Sequence, residues 1–369
     1  MKELSLLIKP VSGACNMRCA YCFYADVAGS RSVPSRGVMS LETAQRVLES
    51  VHTDLKPGDR LTIAFQGGEP TLAGIEFYRD FFRLADGLLP GVHIDYAFQT
   101  NGLLIDEDWC ALFRERHVLV GISVDGPGET HNSLRPDTSG RGTFARVQKA
   151  MRLLRRCGAD FNVLTVLSAA LARHPAAVWK WVEREEIAYI QFIPCLAPLE
   201  AGAHSPYALT PSRFRDFYLQ LFPLWKRSME QGHPVSVKLF DDLVNLYIGG
   251  RATACGITGS CSVQYVVEAD GDVYPCDFYA LDRYRMGSLL TALPSALADA
   301  AEPFLREENS FAGEPPCRGC RYEKSCRGGC RRMRQSMYVE DGVCCYAQLL
   351  DRLLVPLLDF AREYLSARS

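Results

Sequence analysis

The placement of cysteine constrains this chain more than any other feature. Fifteen cysteines occur in 369 residues, and they are clustered. Three fall between Cys15 and Cys22 and nine between Cys255 and Cys345, leaving only Cys110, Cys157 and Cys195 in the long middle. A small secreted domain uses that many cysteines for disulfides, but this chain is large and its count is odd. The amino-terminal stretch Met1 to Pro10 has one short apolar run, Leu4 to Ile8, and no small-residue cleavage site. No secretory signal is read there, so a cytoplasmic, reducing compartment is expected. In such a compartment clustered thiols point to metal rather than to disulfides.

The remaining composition excludes several classes. Hydrophobic residues make up 48% and charged residues 23%, which fits a soluble globular protein and not a disordered or low-complexity one. Lysine and arginine number 41 against 43 acidic residues, a formal net charge of −2, so general nucleic-acid binding is not expected. The apolar runs are far too short to cross a bilayer. The length allows two or three domains, or one barrel with an appendage.

The first two thirds alternate between two periodicities. Strand patterns at Leu4–Ile8, Leu61–Phe65, Val92–Phe98, Val118–Val124, Phe161–Leu167 and Tyr189–Ile193 are separated by helical patterns near 41–55, 75–88, 107–116, 143–156 and 174–186. Six strands spaced by helices predict parallel βαβ units closing into a barrel or partial barrel. Polar or glycine-rich segments follow the strands: Lys9, Gln66-Gly67-Gly68-Glu69-Pro70, Gln99-Thr100-Asn101-Gly102, Ser123 with Asp125-Gly126, and Pro194-Cys195-Leu196. That rim is where sites form in parallel barrels. After a helix at 211–230, composition turns rich in cysteine, glycine and arginine, which places a boundary near Pro234 and predicts domains 1–233 and 234–369. Within the second, Ala269-Asp270-Gly271 between 264–268 and 272–274 predicts a hairpin, and 348–365 an amphipathic helix.

Cys15-x3-Cys19-x2-Cys22 directly follows the first strand. Three thiolates on one loop can share a centre, and a four-iron cluster with three protein ligands keeps one iron open. A zinc site short of a ligand, or redox thiols, are the other uses of such a loop. The spacing resembles the radical S-adenosylmethionine (radical SAM) superfamily, as does Gly67-Gly68-Glu69-Pro70. The resemblance implies that this segment's backbone and Glu69 hold the methionine amino group of SAM. Physically, glycines allow close backbone approach and Glu69 offers an acceptor.

Cys255-x5-Cys261-x14-Cys276, then Cys317-x2-Cys320-x5-Cys326-x3-Cys330, then Cys344-Cys345 resemble the SPASM extension of peptide-modifying radical SAM enzymes. Zinc ribbons are the alternative reading of such spacings. The resemblance implies two auxiliary [4Fe–4S] clusters: Cys255, Cys261, Cys276 and Cys330 on one, and Cys317, Cys320, Cys326 and Cys345 on the other. Cys345 is preferred over Cys344 because it immediately precedes the terminal helix. The implied architecture is α/β: a partial (β/α)6 radical SAM barrel with a carboxy-terminal cysteine-rich SPASM domain, SAM and three [4Fe–4S] clusters. Cys110 and Cys157 then read as small core residues, and Cys195 as structural.

Over nearly its whole length the chain further resembles the anaerobic sulfatase-maturating enzymes, in Leu4–Pro10, Tyr21–Tyr24, Ala64–Gly74, Gln99–Gly102 and Tyr274–Tyr279. That family oxidises a cysteine or serine, in a Cys/Ser-x-Pro-x-Arg motif of a sulfatase polypeptide, to Cα-formylglycine. By matched position Tyr21, Gly67, Ser123, Arg135 and Leu196 are its SAM contacts and Asp277 its general base. The implied course is reductive cleavage of SAM to a 5′-deoxyadenosyl radical, removal of a Cβ hydrogen, proton loss to Asp277 and electron loss to an auxiliary cluster. A flavodoxin or ferredoxin is the implied electron donor, and a monomer is expected. Asp125 and Asp241 are rival bases. The competing functions are a SPASM maturase making thioethers or epimerised residues in a small precursor peptide, and a non-catalytic iron–sulfur electron carrier.

Overall fold

The computed structural model describes residues 1–200, 202–250, 254–308 and 313–366. The chain forms two compact units, each discontinuous in sequence. The first comprises Met1–Ser123, Arg135–Phe161 and Ser262–Leu305; the second comprises Val124–Leu134, Asn162–Cys261 and Arg306–Ser369. These units do not divide at the expected linear boundary near 234.

Among the described residues the first ten strands in chain order are β1 Glu3–Ile8, β2 Arg60–Phe65, β3 His93–Thr100, β4 Leu119–Ser123, β5 Phe161–Leu167, β6 Tyr189–Pro194, β7 Ser236–Val237, β8 Val266–Val267, β9 Asp272–Tyr274 and β10 Gly287–Ser288, and a two-stranded hairpin, Val339–Glu340 with Val343–Cys344, follows. In the first unit the sheet order is β10-β9-β8-β1-β2-β3-β4. Strands β1 to β4 run parallel, with Ile8 beside Phe65 and Phe65 beside Phe98. In the second unit β5, β6 and β7 run parallel.

Local chemistry explains these elements. Alternate residues Leu61, Ile63 and Phe65 of β2 are fully buried, as are Leu6 and Ile8 of β1. The helix Ile75–Leu88 lays Tyr78, Phe81 and Phe82 against Phe65, with ring centroids 5.1 to 6.3 Å apart. Phe98 and Trp109 extend the same cluster. Such edge-on packing adds about 0.5–1.5 kcal/mol per pair beyond area burial. Helix starts are capped by side chains: Ser40 accepts from Thr43 N, Asp106 from Trp109 N and Thr210 from Arg213 N. The helix Phe144–Cys157 stops at Gly158, whose φ of +69° is left-handed.

The six expected strands and their helices are present, with ends shifted by a residue or two. The hairpin is also present: β8 and β9 are antiparallel, and Gly271 turns at φ +84°. Its destination was not legible. Strand β8 pairs in parallel with β1, Leu7 opposite Val266 and Ile8 opposite Val267. A segment from the last third of the chain thus extends the first unit's sheet and carries Asp277 to the end of β1. The short helices Phe23–Gly29 and Gly128–Leu134 and the helix Lys238–Ile248 were also not expected. In the second unit the terminal helix runs Cys345–Ser366 and packs Phe360 on Trp225 of the helix Pro211–Glu230, centroids 5.3 Å apart.

Candidate active site and cysteine clusters

The three-cysteine loop lies in the first unit, beyond the C-terminal end of β1. Cys15 Sγ accepts from Met17 N at 3.4 Å and from Asn101 Nδ2 at 3.9 Å. Arg135 Nη1 reaches Cys19 Sγ at 3.9 Å, and its guanidinium lies 5.5 Å from the centre of the Tyr21 ring. Arg135 is strapped to the loop by its neighbours: Arg18 N donates to Pro136 O, and Met17 bridges Asp137. Burial pushes the Cys15 thiol up to about 11, opposed by the Met17 N–H and reinforced by Glu69, Cys19 and Cys22. The sulfurs and a carboxylate therefore repel one another when ionised, and a bound cationic centre reverses that balance by taking them as thiolates. This donor set fits a cluster with one open iron.

Gly67-Gly68-Glu69 is laced to that loop. Gly68 N donates to Ser12 O and Glu69 N to Ala14 O, both at 2.8 Å. A Cβ on Gly68 would stand 1.9 Å from Ala14 O, and Gly67 has φ +121°. Glycine is needed at 68 first of all so that this segment can press on the cysteine loop. Glu69 is buried. Its Oε1 accepts from Thr71 N at 3.1 Å, Thr71 Oγ1 at 2.6 Å and Thr100 Oγ1 at 2.8 Å, while among the described residues Oε2 accepts only from Asn101 N, at 2.7 Å. Burial raises its pKa against those donors. The carboxylate mainly fixes the end of β3, and only Oε2 keeps room for a further donor such as an ammonium.

Asp277 closes the same end of the first unit. Its Oδ1 accepts from Lys9 Nζ and its Oδ2 from Gln66 Nε2 at 2.9 Å, and its own N–H donates to Gln264 Oε1 at 3.2 Å. Lys9 is fully buried, with its ammonium 3.4 Å from the centre of the Tyr24 ring. Tyr24 donates to Glu268 Oε1 at 2.6 Å, and Arg31 donates to the same oxygen at 2.8 Å. Despite burial, Lys9 and Arg31 hold the Glu268 carboxyl below its ordinary range. Lys9 is expected only as one residue of the strand-end rim, and Tyr24, Arg31 and Glu268 carry no individual role in the sequence reading. The available signal was a lysine ending a buried strand, because an unpaired buried ammonium is costly.

In the second unit Cys317, Cys320, Cys326 and Cys344 line one small cavity, walled by Tyr338 and Tyr346. Burial, then Cys344, push the Cys326 thiol up to about 12, with Cys317 and Cys320 adding. The expected ligand Cys345 is not on this cavity. The terminal helix starts three residues earlier than expected, so Cys345 is its first residue, buried, with Arg215 and Glu340 as its charged neighbours. Cys344, ending the hairpin strand Val343–Cys344, takes the place instead. Four cysteines around one apolar-walled cavity fit a closed cluster. Among the described residues no set of three or more His, Cys, Asp and Glu closes around a single-ion point.

Also in the second unit, Cys330 N donates to Gly256 O at 3.0 Å, which sets Cys330 beside the Cys255 segment, and Cys261 lies a few residues on. Cys276, beside Asp277, belongs to the first unit. Ser123 is buried at the end of β4, and Leu196 follows β6 in the second unit. Asp125 accepts from Val166 N at 2.9 Å and Asp241 from Ser236 Oγ, both in the second unit. Cys195 is buried and pushed up to about 12 by burial, with Asp125 adding. Cys110 and Cys157 face each other between two helices of the first unit; Cys110 is buried as expected of a core residue, whereas Cys157 is half-buried.

Residues 10–168 match the radical SAM superfamily and residues 258–321 the SPASM iron–sulfur cluster-binding domain. The cysteine-type anaerobic sulfatase-maturating enzyme of Clostridium novyi is 37% identical over 94% of this chain and 93% of its own length. The chain belongs to the anaerobic sulfatase-maturating enzyme family. A serine-type anaerobic sulfatase-maturating enzyme of Bacteroides thetaiotaomicron is 27% identical over 91% of this chain and 84% of its own. The solved structure of native anSMEcpe with bound AdoMet and Cp18Cys peptide superposes with a TM-score of 0.88 at 36% identity, covering 98% of this chain and 99% of that one. For a member of the anaerobic sulfatase-maturating enzyme family, the three-cysteine loop and the SPASM cysteines are the expected cluster sites. Among the described residues no helix is long and apolar enough to cross a membrane.

Proposed function

We propose that the protein oxidises the target cysteine of a sulfatase polypeptide, within a Cys-x-Pro-x-Arg segment, to Cα-formylglycine. The observation that carries this reading is Asp277, a buried carboxylate held by Lys9 and Gln66 at the same strand ends as the three-cysteine loop and Gly67–Glu69. When bound, a [4Fe–4S] cluster on Cys15, Cys19 and Cys22 together with SAM supplies the radical that takes a hydrogen from the substrate Cβ.

The chain's own residues do the rest. Gly67, Gly68 and Glu69 form the cradle for the SAM methionine, with Oε2 of Glu69, which already accepts from Asn101 N, as the oxygen with room for a further donor. Arg135, stacked near Tyr21, offers its planar fork to a carboxylate. Ser123 and Leu196 complete the SAM contacts implied by matched position. Asp277 receives the substrate thiol proton, and its position beside Cys276 couples that loss to electron removal. Cys317, Cys320, Cys326 and Cys344 hold one auxiliary cluster. The assignment of Cys255, Cys261, Cys276 and Cys330 to the other rests on the sequence resemblance alone. A flavodoxin or ferredoxin supplies the electron, and the enzyme works as a cytoplasmic monomer.

Cysteine is the proposed target because the cysteine-type relative is 37% identical and the serine-type relative 27%. The test is anaerobic incubation of the cluster-loaded enzyme with SAM, a reductant and matched peptides carrying Cys-x-Pro-x-Arg or Ser-x-Pro-x-Arg. A loss of roughly 18 Da from the cysteine peptide is expected, against roughly 2 Da for serine. Formation of 5′-deoxyadenosine with both peptides left unchanged would point to a different peptide substrate.

A further inference from the structure

The first unit carries a basic groove that the proposed chemistry does not use. It is a cleft of about 410 Å³, and the helix Phe144–Cys157 forms one wall with Arg146, Lys149, Arg152 and Arg156. Their spacing puts all four on one helical face. The facing rim supplies only Asp106 and Glu107, in a chain whose formal net charge is −2. The concentration of positive charge is therefore local.

The groove leads to the three-cysteine loop by two routes. Its floor includes Gly102 and Leu103, which directly follow Asn101. Leu103 N donates to Asn101 Oδ1 at 3.0 Å, and Asn101 Nδ2 contacts Cys15 Sγ at 3.9 Å and Asn16 Oδ1 at 2.7 Å. On the helix side, Arg146 Nη2 donates to Asp137 Oδ2 at 2.7 Å, and Asp137 bridges Met17 within the loop. Arg156 pairs with Glu107 at 3.6 Å. Lys149 and Arg152, between these paired arginines, are exposed.

We propose that this groove docks a small acidic flavodoxin-type protein that delivers an electron to the Cys15–Cys22 site. The inference rests on the radical SAM reading above. The carrier's reduced flavin loses one electron, the iron–sulfur centre on these cysteines gains it, and no bond is made or broken. Opposite charge steers such encounters and raises association rates by about 10–10³-fold, an effect that falls with ionic strength.

The experiment compares the cluster-loaded enzyme with its Lys149→Glu/Arg152→Glu variant. Binding of purified flavodoxin is measured by calorimetry at low and high salt, and formylglycine formation is followed with either reduced flavodoxin or dithionite. The variant is expected to bind flavodoxin about tenfold more weakly, to lose most of the salt dependence, and to slow by a similar factor with flavodoxin alone. Dithionite-driven turnover should match that of the unmodified enzyme. Equal flavodoxin binding by the two proteins, or none by either, overturns the proposal. A raised KM for the sulfatase peptide under dithionite assigns the face to substrate and also overturns it. Failure of the catalytic reading shows separately, as absence of 5′-deoxyadenosine from the dithionite-driven unmodified enzyme, and leaves the binding comparison to judge the docking.

Discussion

The buried ammonium of Lys9 rests on Oδ1 of Asp277 and lies over the ring of Tyr24. Its stem also passes Gly67, where a Cβ would stand 3.2 Å from Lys9 Cβ. One side chain therefore joins the proposed base to the proposed SAM cradle. Removing one partner of a buried ion pair leaves the other uncompensated and costs about 3–5 kcal/mol. Lys9→Met is expected to destabilise the enzyme by that amount in denaturant titrations and to abolish aldehyde formation. Asp277→Asn keeps the shape of the side chain but cannot accept the proton. It should still cleave SAM while forming little formylglycine, so the ratio of 5′-deoxyadenosine to aldehyde should rise by at least about tenfold. Equal loss of both products would remove Asp277 from the proton-transfer step.

Gly68→Ala tests the seam between the glycine segment and the cysteine loop. The new methyl would meet the Ala14 carbonyl, which is backbone and cannot swing aside. Overpacking of this kind costs about 1–3 kcal/mol, and here the strain falls on the segment carrying Cys15. Iron bound after anaerobic reconstitution should fall by about one cluster per chain, with the auxiliary clusters retained. A variant with full iron content and unchanged SAM affinity would show that the loop yields without consequence.

The division between what was legible and what was not follows the range of the interactions. The parallel strands and their helices are written in local periodicity, and Leu61, Ile63 and Phe65 fall on one face as alternation requires. The hairpin at Ala269-Asp270-Gly271 is equally local. Its parallel pairing to β1 joins residues some 260 positions apart, Leu7 and Val266, and no local pattern specifies such a partner. The same holds for the site. The cysteine loop and the glycine segment are contiguous motifs, whereas the Lys9–Asp277 pair and the Tyr24–Glu268–Arg31 cluster exist only once that long-range pairing is made. Cys344 and Cys345 show the limit at one residue: the choice depends on where a helix starts, and helix boundaries are the least certain part of any pattern reading.

Exchange of Cys344 and Cys345 in turn for alanine should separate them. Cys344→Ala removes one wall of the four-cysteine cavity and should lower bound iron by about four atoms per chain. Cys345→Ala trims a small buried side chain at the first turn of the terminal helix and should keep full iron, with a loss of about 1 kcal/mol or less. The reverse pattern would return the ligand role to Cys345.

Asp137 links acidity to the strap that holds Arg135. Its Oδ1 accepts from Ser139 N and Arg141 N, each at 3.0 Å, and its Oδ2 from Arg141 Nε at 3.1 Å and Arg146 Nη2 at 2.7 Å. These donors, the Arg141 N–H foremost, lower the carboxyl from its ordinary 3.8 to about 2. A carboxyl depressed in the folded state binds its proton more readily when unfolded. Its contribution is therefore complete above about pH 4 and is lost as pH falls toward about 2. Asp137→Asn should lower the thermal midpoint at about pH 7, and the gap to the parent protein should narrow on acidification to about pH 3. The backbone of Asp137 pairs with Met17, so a turn loosened by loss of the carboxylate's hydrogen bonds should bind SAM more weakly near neutral pH, as equilibrium dialysis would report. A gap that stays constant across the acid range would mean that the carboxylate charge plays no part in the strap.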